Sequence, residues 1–110
     1  MDGQNGKDIY STSEVKTNKV WIDGKPIYRK YYDLTGETNG TIIDTITNLD
    51  TLTNSECFGK HTSNGLVFHN VANTAEICAL FYQPTTHKID LRLAYYSAMY
   101  GWIEYTKTTD

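Results

Sequence analysis

The sequence predicts an all-β domain, an antiparallel sandwich or barrel, with a jelly-roll-like β-sandwich as the preferred form, and three observations carry the all-β prediction. Apolar and polar residues alternate in about seven or eight short runs at regular spacing, with no helical stretch between them. Tyrosine is over-used, at nine of 110 residues, and Thr and Asn are also abundant, which suits twisted sheets joined by polar loops. The stretch Val20-Trp21-Ile22-Asp23-Gly24-Lys25-Pro26-Ile27-Tyr28-Arg29-Lys30 reads as a hairpin, because Asp-Gly is a preferred pair for a two-residue type I′ turn. A chain of 110 residues is one domain with a small core and much exposed surface.

Residues 2–10 have no hydrophobic period. Gly3-Gln4-Asn5-Gly6-Lys7-Asp8 forms two Gly-X-Y triplets, the repeat a collagen triple helix requires. Residues 1–10 are therefore expected to be a stalk remnant or linker, and 11–110 the sandwich. The first strand runs from about Lys19 to Ile22 and the second from Pro26 to Leu34. A two-residue turn would pair Ile22 with Lys25, Trp21 with Pro26 and Val20 with Ile27. Val20, Ile22, Ile27 and Tyr31 would then share one face, and Trp21, Pro26, Tyr28 and Tyr32 the other. Pro26 has no N–H for a ladder, so it belongs at an edge or a strand start.

Residues 36–40 read as a loop ending in the turn pair Asn39-Gly40. Asn39-Gly40-Thr41 also fits a glycosylation sequon, but with no secretory leader the turn reading is preferred. Thr41 to Ile46 is β-branched and extended. Thr47 to Asn54 reads as irregular, with Leu49 and Leu52 as plugs, and Glu56 to Lys60 as a short strand. Residues 62–65 form a turn, Leu66 to Val71 a strand, and Asn73-Thr74 the next turn. Ala75 to Tyr82 alternates, with Ile77, Ala79 and Phe81 opposite Glu76, Cys78, Leu80 and Tyr82. Pro84 to His87 breaks it. Lys88 to Leu93 alternates with Ile89, Leu91 and Leu93 inward. Residues 94–97 read as a loop, and Met99 to Thr108 as the closing strand. That strand lacks a clean polar face, which marks it as central or covered by a neighbouring subunit.

The net charge is −3, with no basic stripe, so nucleic acid is not an expected partner. No apolar run has membrane-spanning length, and no signal peptide opens the chain. Two cysteines without a leader, Cys57 and Cys78, read as buried thiols, with a bridge open to them if the sheets bring them within about 7 Å.

The two ends carry a resemblance. The hairpin, preceded by Tyr10-Ser11-Thr12-Ser13-Glu14, resembles the opening of a domain common in bacteriophage tail fibres and tail-tip receptor-binding proteins. Tyr100-Gly101-Trp102-Ile103-Glu104-Tyr105-Thr106-Lys107 is similar to the end of that domain. The two motifs bracket roughly residues 10–107, and the middle matches in style alone. The resemblance implies a fibre head domain in the virion, made in the bacterial host cytoplasm. Its partners would be two further copies in a homotrimer, other tail proteins and a host-surface polysaccharide. It also fits the Gly-X-Y start. It carries over no catalytic residue and no cofactor.

Among individual residues, Tyr95-Tyr96-Ser97-Ala98-Met99-Tyr100 is the stretch most like an adhesive surface. Aromatic faces stack on sugars while hydroxyls fix orientation, although rings of this kind also fill cores and interfaces. Tyr95, Tyr96 and Tyr100 are therefore candidate ligand contacts, with the loop residues His61, Asn64 and His87 as secondary ones. Cys57 and His61, with Cys78, His69 and His87 elsewhere, lack the paired spacing of a zinc site, so no metal is expected. Asp44, Asp50, Glu56, Glu76, Asp90 and Glu104 are available for a carboxylate pair. Glycan cleavage needs two of them about 5 to 10 Å apart in a cleft, and exposed strand carboxylates are the default. No nucleophile elbow, phosphate-cradling loop or calcium loop is present. The expectation is a binding module, with a structural trimerising cap or collar as alternative and a polysaccharide-degrading domain as the third reading.

Overall fold

The computed structural model describes residues 11–109. The Gly-X-Y reading of residues 3–8 and the stalk boundary at residue 10 lie outside them. Nine strands are present among the described residues: β1 Val15–Val20, β2 Pro26–Asp33, β3 Ile42–Thr45, β4 Leu49–His61, β5 Val67–His69, β6 Val71–Ala72, β7 Ile77–Gln83, β8 Lys88–Ala94 and β9 Tyr96–Lys107. They form two antiparallel sheets, in the orders β1-β2-β9-β4-β5 and β3-β8-β7-β6. The chain changes sheet at β2–β3, β3–β4, β5–β6 and β8–β9.

One core joins the sheets. β9 and β4 supply Tyr96, Ala98, Ile103, Tyr105, Leu49 and Cys57, and the other sheet supplies Cys78, Leu80, Ile89 and Leu91. β9 is the middle strand of its sheet, in keeping with its lack of a polar face. Ile89 and Leu91 point inward at 1% and 0% exposure, as the alternation of β8 requires. The cross-sheet tie at one end is polar. Lys30 of β2 and Tyr32 of the same strand both reach Asp44 of β3, at 2.7 Å each.

The opening hairpin differs from the expected one. Val20 pairs with Pro26, not Ile27, and Trp21 N–H donates to Lys25 O at 2.9 Å. Gly24 N–H donates to Trp21 O, also at 2.9 Å. Of the loop residues, Gly24 alone has positive φ (87°), whereas a type I′ turn needs two such residues. The loop is thus three residues, Ile22-Asp23-Gly24, with glycine in its last, left-handed place. Ile22 lies in that loop and Val20 ends the edge strand β1, and they are 91% and 67% exposed. Tyr28 and Tyr32 still reach the core. Pro26 opens β2 before its ladder to β9 begins at Tyr28, which is where a residue without N–H fits.

Three further boundaries move. β4 is one strand of 13 residues, covering both the expected irregular segment and the short strand. Its register slips at Leu49/Leu52, Leu52/Asn54 and Phe58/Gly59, and such bulges hide the period-2 pattern. β9 begins at Tyr96, inside the expected loop. The expected strand 66–71 is divided by Asn70, at φ 52°, into β5 in one sheet and β6 in the other.

Candidate functional site

Residues 34–41, between β2 and β3, are held down on the ends of β8 and β9. Leu34 N–H donates to Met99 O (3.1 Å), Gly40 N–H to Leu91 O (2.7 Å) and Leu91 N–H to Thr41 O (2.9 Å). Leu93 N–H donates to the Asn39 side-chain oxygen at 2.8 Å. Gly36 and Gly40, at φ 83° and 86°, allow the chain to turn back twice within this length. Opposite lies the sharp corner between β8 and β9. Its pivot is Tyr95, which takes φ 70°, a conformation uncommon for a bulky residue. The corner is braced from the other side, where Thr62 donates to Tyr95 O through its N–H at 3.0 Å and its hydroxyl at 3.3 Å.

Between this loop and this corner lies an open cleft of about 530 Å³, within the usual range for small-ligand sites. Leu93, Tyr96 and Ala98 give it an apolar base. Thr35, Glu37, Thr38, Asn39 and Ser97 supply hydroxyl, carboxylate and amide groups, and Tyr95 lines it with a ring that is 62% exposed. Asn39 spends its oxygen on Leu93 N–H, so its amide nitrogen is the part available to donate outward. A second cleft of about 410 Å³ lies on the far side of the same loop. It is lined by Tyr31, Asp33 and Thr41, and shares Glu37 with the first. The Asp33 carboxyl is held below its usual range by the Thr35 N–H and hydroxyl.

The six residues singled out from the sequence do not converge. Tyr95 and Tyr96 both line the first cleft. Tyr96 is only 6% exposed, however, and its hydroxyl donates to Glu76 at 3.1 Å, so it is part of the floor and its ring faces are covered. Burial first, and that bond second, raise its phenol pKa. His61 stands edge-on behind Tyr96 with 5.0 Å between ring centroids. Asn64 spends its side-chain oxygen on the turn it makes with Leu66. His87 is at the other end of β8, bonded to the Tyr82 hydroxyl at 2.9 Å.

Tyr100 belongs to a different feature, a row of rings across the outer face of the larger sheet. Tyr31, Tyr100, Phe58 and His69 come from four adjacent strands. Successive centroids are 6.3, 4.8 and 5.2 Å apart, with planes within 10–19° of parallel. The row therefore stabilises the sheet as cross-strand pairs do, and Tyr100 stands in it between Tyr31 and Phe58, 37% exposed and outside the first cleft. Ser97 falls inside the adhesive stretch the sequence singles out, whereas Thr35, Glu37 and Asn39 are not among the candidate contacts read from it. The turn pair Asn39-Gly40 is the one local signal, and it gives no sign of which strands the loop will meet.

The six acidic side chains considered for catalysis each have a partner: Asp44 with Lys30, Asp50 with Lys25, Glu56 with His69, Glu76 with Tyr96, Asp90 with Arg92 and Glu104 with Arg29. Asp90 and Glu104 are 3% and 2% exposed, which corrects the default of solvated strand carboxylates for these two. Among the described residues no group of three His, Cys, Asp or Glu is arranged to hold a metal ion. Comparison of the chain with protein-family models, with curated proteins and with solved structures gave no match.

Proposed function

We propose that this chain is the head domain of a bacteriophage tail fibre, and that it attaches the virion to a glycan of the bacterial surface through the cleft beside Tyr95. The family part of the reading is supported by the hairpin and closing motifs given above. The binding part rests on one observation: an exposed tyrosine ring at the mouth of an open cleft rimmed by Glu37, Asn39 and Ser97. The Tyr95 ring stacks on the apolar face of a pyranose, and the amide, carboxylate and hydroxyl groups orient its hydroxyls. Such a shallow site binds weakly by itself. In a homotrimer with jelly-roll-like subunits, three copies engage one polymer and gain avidity by linkage. The repeated change of sheet along the chain supports that topology. The domain is a binding module rather than an enzyme, assembled in the host cytoplasm with the other tail proteins into the virion.

The test is an array of bacterial surface polysaccharides probed with the labelled protein, with molar mass measured in parallel. The expected result is a trimer whose retention on one polysaccharide class falls about tenfold or more in Tyr95→Ala, the loss of roughly one stacking contact per site multiplied by avidity. Tyr100→Ala should stay close to the parent. Retention unaffected by Tyr95→Ala removes the cleft from the reading, and a monomer at micromolar concentration removes the trimer.

A second reading, a trimerising collar that binds no glycan, is favoured by the exposure of Val20 and Ile22 at the hairpin tip. Apolar side chains this open are what a neighbouring subunit would cover. It predicts that Ile22→Asp breaks the trimer, and that no polysaccharide is retained by the parent protein.

A further inference from the structure

Cys57 and Cys78 are the two cysteines of the chain, and they meet across the sheets. Cys57 is in β4 and Cys78 in β7, both are fully buried, and their sulfurs are 3.6 Å apart. Facing sheets ordinarily lie about 10 Å apart, whereas a disulfide needs Cα atoms about 4.4–6.8 Å apart. The chain ties the two cysteine strands together at the β5–β6 crossover. Asn70 is the one residue between β5 and β6, where the chain passes from one sheet to the other. Its N–H donates to Cys57 O at 3.0 Å and its side-chain oxygen accepts from Cys57 N–H at 2.9 Å. The next residue, Val71, pairs with Cys78. One strand-switch residue thus binds the Cys57 backbone while its neighbour binds the Cys78 strand. Gly59 completes the arrangement, since a Cβ there would lie 2.6 Å from the Cys78 sulfur. The space for the second thiol exists because residue 59 has no side chain.

We propose that Cys57 and Cys78 form a disulfide site, closed by exchange with a low-molecular-weight disulfide, that ties the two sheets together at the β5–β6 crossover. The Cys78 thiol gives up its proton and attacks one sulfur of the small disulfide. A mixed disulfide forms and one thiolate leaves, taking up that proton. The Cys57 sulfur then attacks the Cys78 sulfur, loses its own proton and releases the second small thiol. Two cysteine thiols are oxidised, and one small disulfide is reduced to two thiols. The exchange balances in the same way with Cys57 as the first nucleophile. Both sulfurs are sealed in the folded core, so the thiols stay reduced while the chain is in the cytoplasm, and closure requires folding or refolding where the small disulfide is present.

The experiment is refolding of the full chain from denaturant in a mixture of reduced and oxidised glutathione, alongside refolding in reductant. The expected product has lost two hydrogens by intact mass and carries no glutathione. Titration in denaturant finds no free thiol, against two in the reduced protein. A non-reducing peptide map joins the segments around Cys57 and Cys78. The oxidised form keeps the β-sheet circular dichroism of the reduced one and melts about 10 °C higher, a shift that reductant reverses. Cys57→Ala refolded in the same mixture does not form the internal bridge. Two titratable thiols, a stable glutathione adduct, disulfide-linked multimers, or a bridged product that melts lower than the reduced chain would each overturn the proposal.

Discussion

Arg29 and Glu104 join β2 to the central strand from their directly paired positions. Nε and Nη2 of Arg29 both donate to Glu104 Oε2, at 2.8 and 2.5 Å, and Lys19 Nζ donates to Oε1 at 2.7 Å. The guanidinium also lies over the Trp102 ring, 4.6 Å from its centroid. The carboxylate is 2% exposed, whereas the Arg29 and Lys19 side chains are 21% and 50% exposed. Arg29→Ala removes two of the three donors from a carboxylate that water hardly reaches. The expected loss is about 2 kcal/mol by urea denaturation, below the full range for a buried pair because the cationic side is partly solvated. Arg29→Lys recovers only part of it, since an ammonium cannot reproduce the two-donor grip or the flat contact with Trp102.

The same carboxylate gives the acid limb of stability its sign. Burial acts to raise the Glu104 pKa, but hydrogen bonds from Lys19 and Arg29 outweigh it and hold it below the ordinary value of 4.5. A carboxyl with a depressed folded pKa contributes stability that is present above its unfolded pKa and lost as pH falls through the folded one. Glu14, held by Lys107 and Tyr105, and Asp44, held by Lys30 and Tyr32, are lowered in the same way against burial. At the other extreme, burial first, then hydrogen bonds to Asp44 and Glu14, raise the phenols of Tyr32 and Tyr105 well above 10.0. Their contribution is present below about pH 10 and lost above it. The urea midpoint should therefore fall below about pH 4.5 and again above about pH 10. Glu104→Gln should make the acid fall shallower; an unchanged acid limb would mean that other carboxylates set it.

These pairings also mark what sequence can and cannot show. The all-β class and the inward set of β8 were legible because a period of two survives wherever a strand pairs without bulges. β4 was not legible as one strand, because its bulges place Thr51 and Leu52, or Phe58 and Gly59, out of strict alternation. The hairpin was legible in place but not in register, since Asp23-Gly24 serves a three-residue loop as readily as a two-residue one. For the site, the exposed Tyr95 is legible in its run of aromatic neighbours. Glu37 and Asn39 are not, because the strand order that brings residues 35–39 beside 93–98 is a long-range property. Tyr96 and Tyr100 fit the same local pattern as Tyr95, and only burial and stacking separate the three.

Gly24 tests the revised loop. It has φ 87°, and no atom lies within 4 Å of where a Cβ would stand, so a side chain there meets backbone strain alone and no collision. Gly24→Val should cost about 1–2 kcal/mol. Gly24→Asn should cost clearly less, because asparagine tolerates the left-handed region. Equal melting temperatures for the two variants would argue that the strain lies elsewhere in the loop.

Gly101 and Gly59 separate two kinds of crowding in the core. A Cβ on Gly101 would sit 2.5 Å from the backbone oxygen of Glu56, with Leu80 and Cys57 atoms at 3.2 and 3.3 Å. Relief requires β9 and β4 to move apart at the centre of the sheet, so Gly101→Ala should cost about 3 kcal/mol or leave no soluble folded protein. A Cβ on Gly59 meets a side-chain atom instead, the Cys78 sulfur at 2.6 Å, and then Ser97 O at 3.1 Å. Removing that sulfur removes the worse contact. Gly59→Ala and Cys78→Ala should each destabilise by about 1–3 kcal/mol, one by overpacking and the other by leaving a void. The double variant should lose less than the two together, with a coupling of about 1 kcal/mol in its favour. Strict additivity in the reduced protein would show that Ser97 O, not the thiol, limits the space at residue 59.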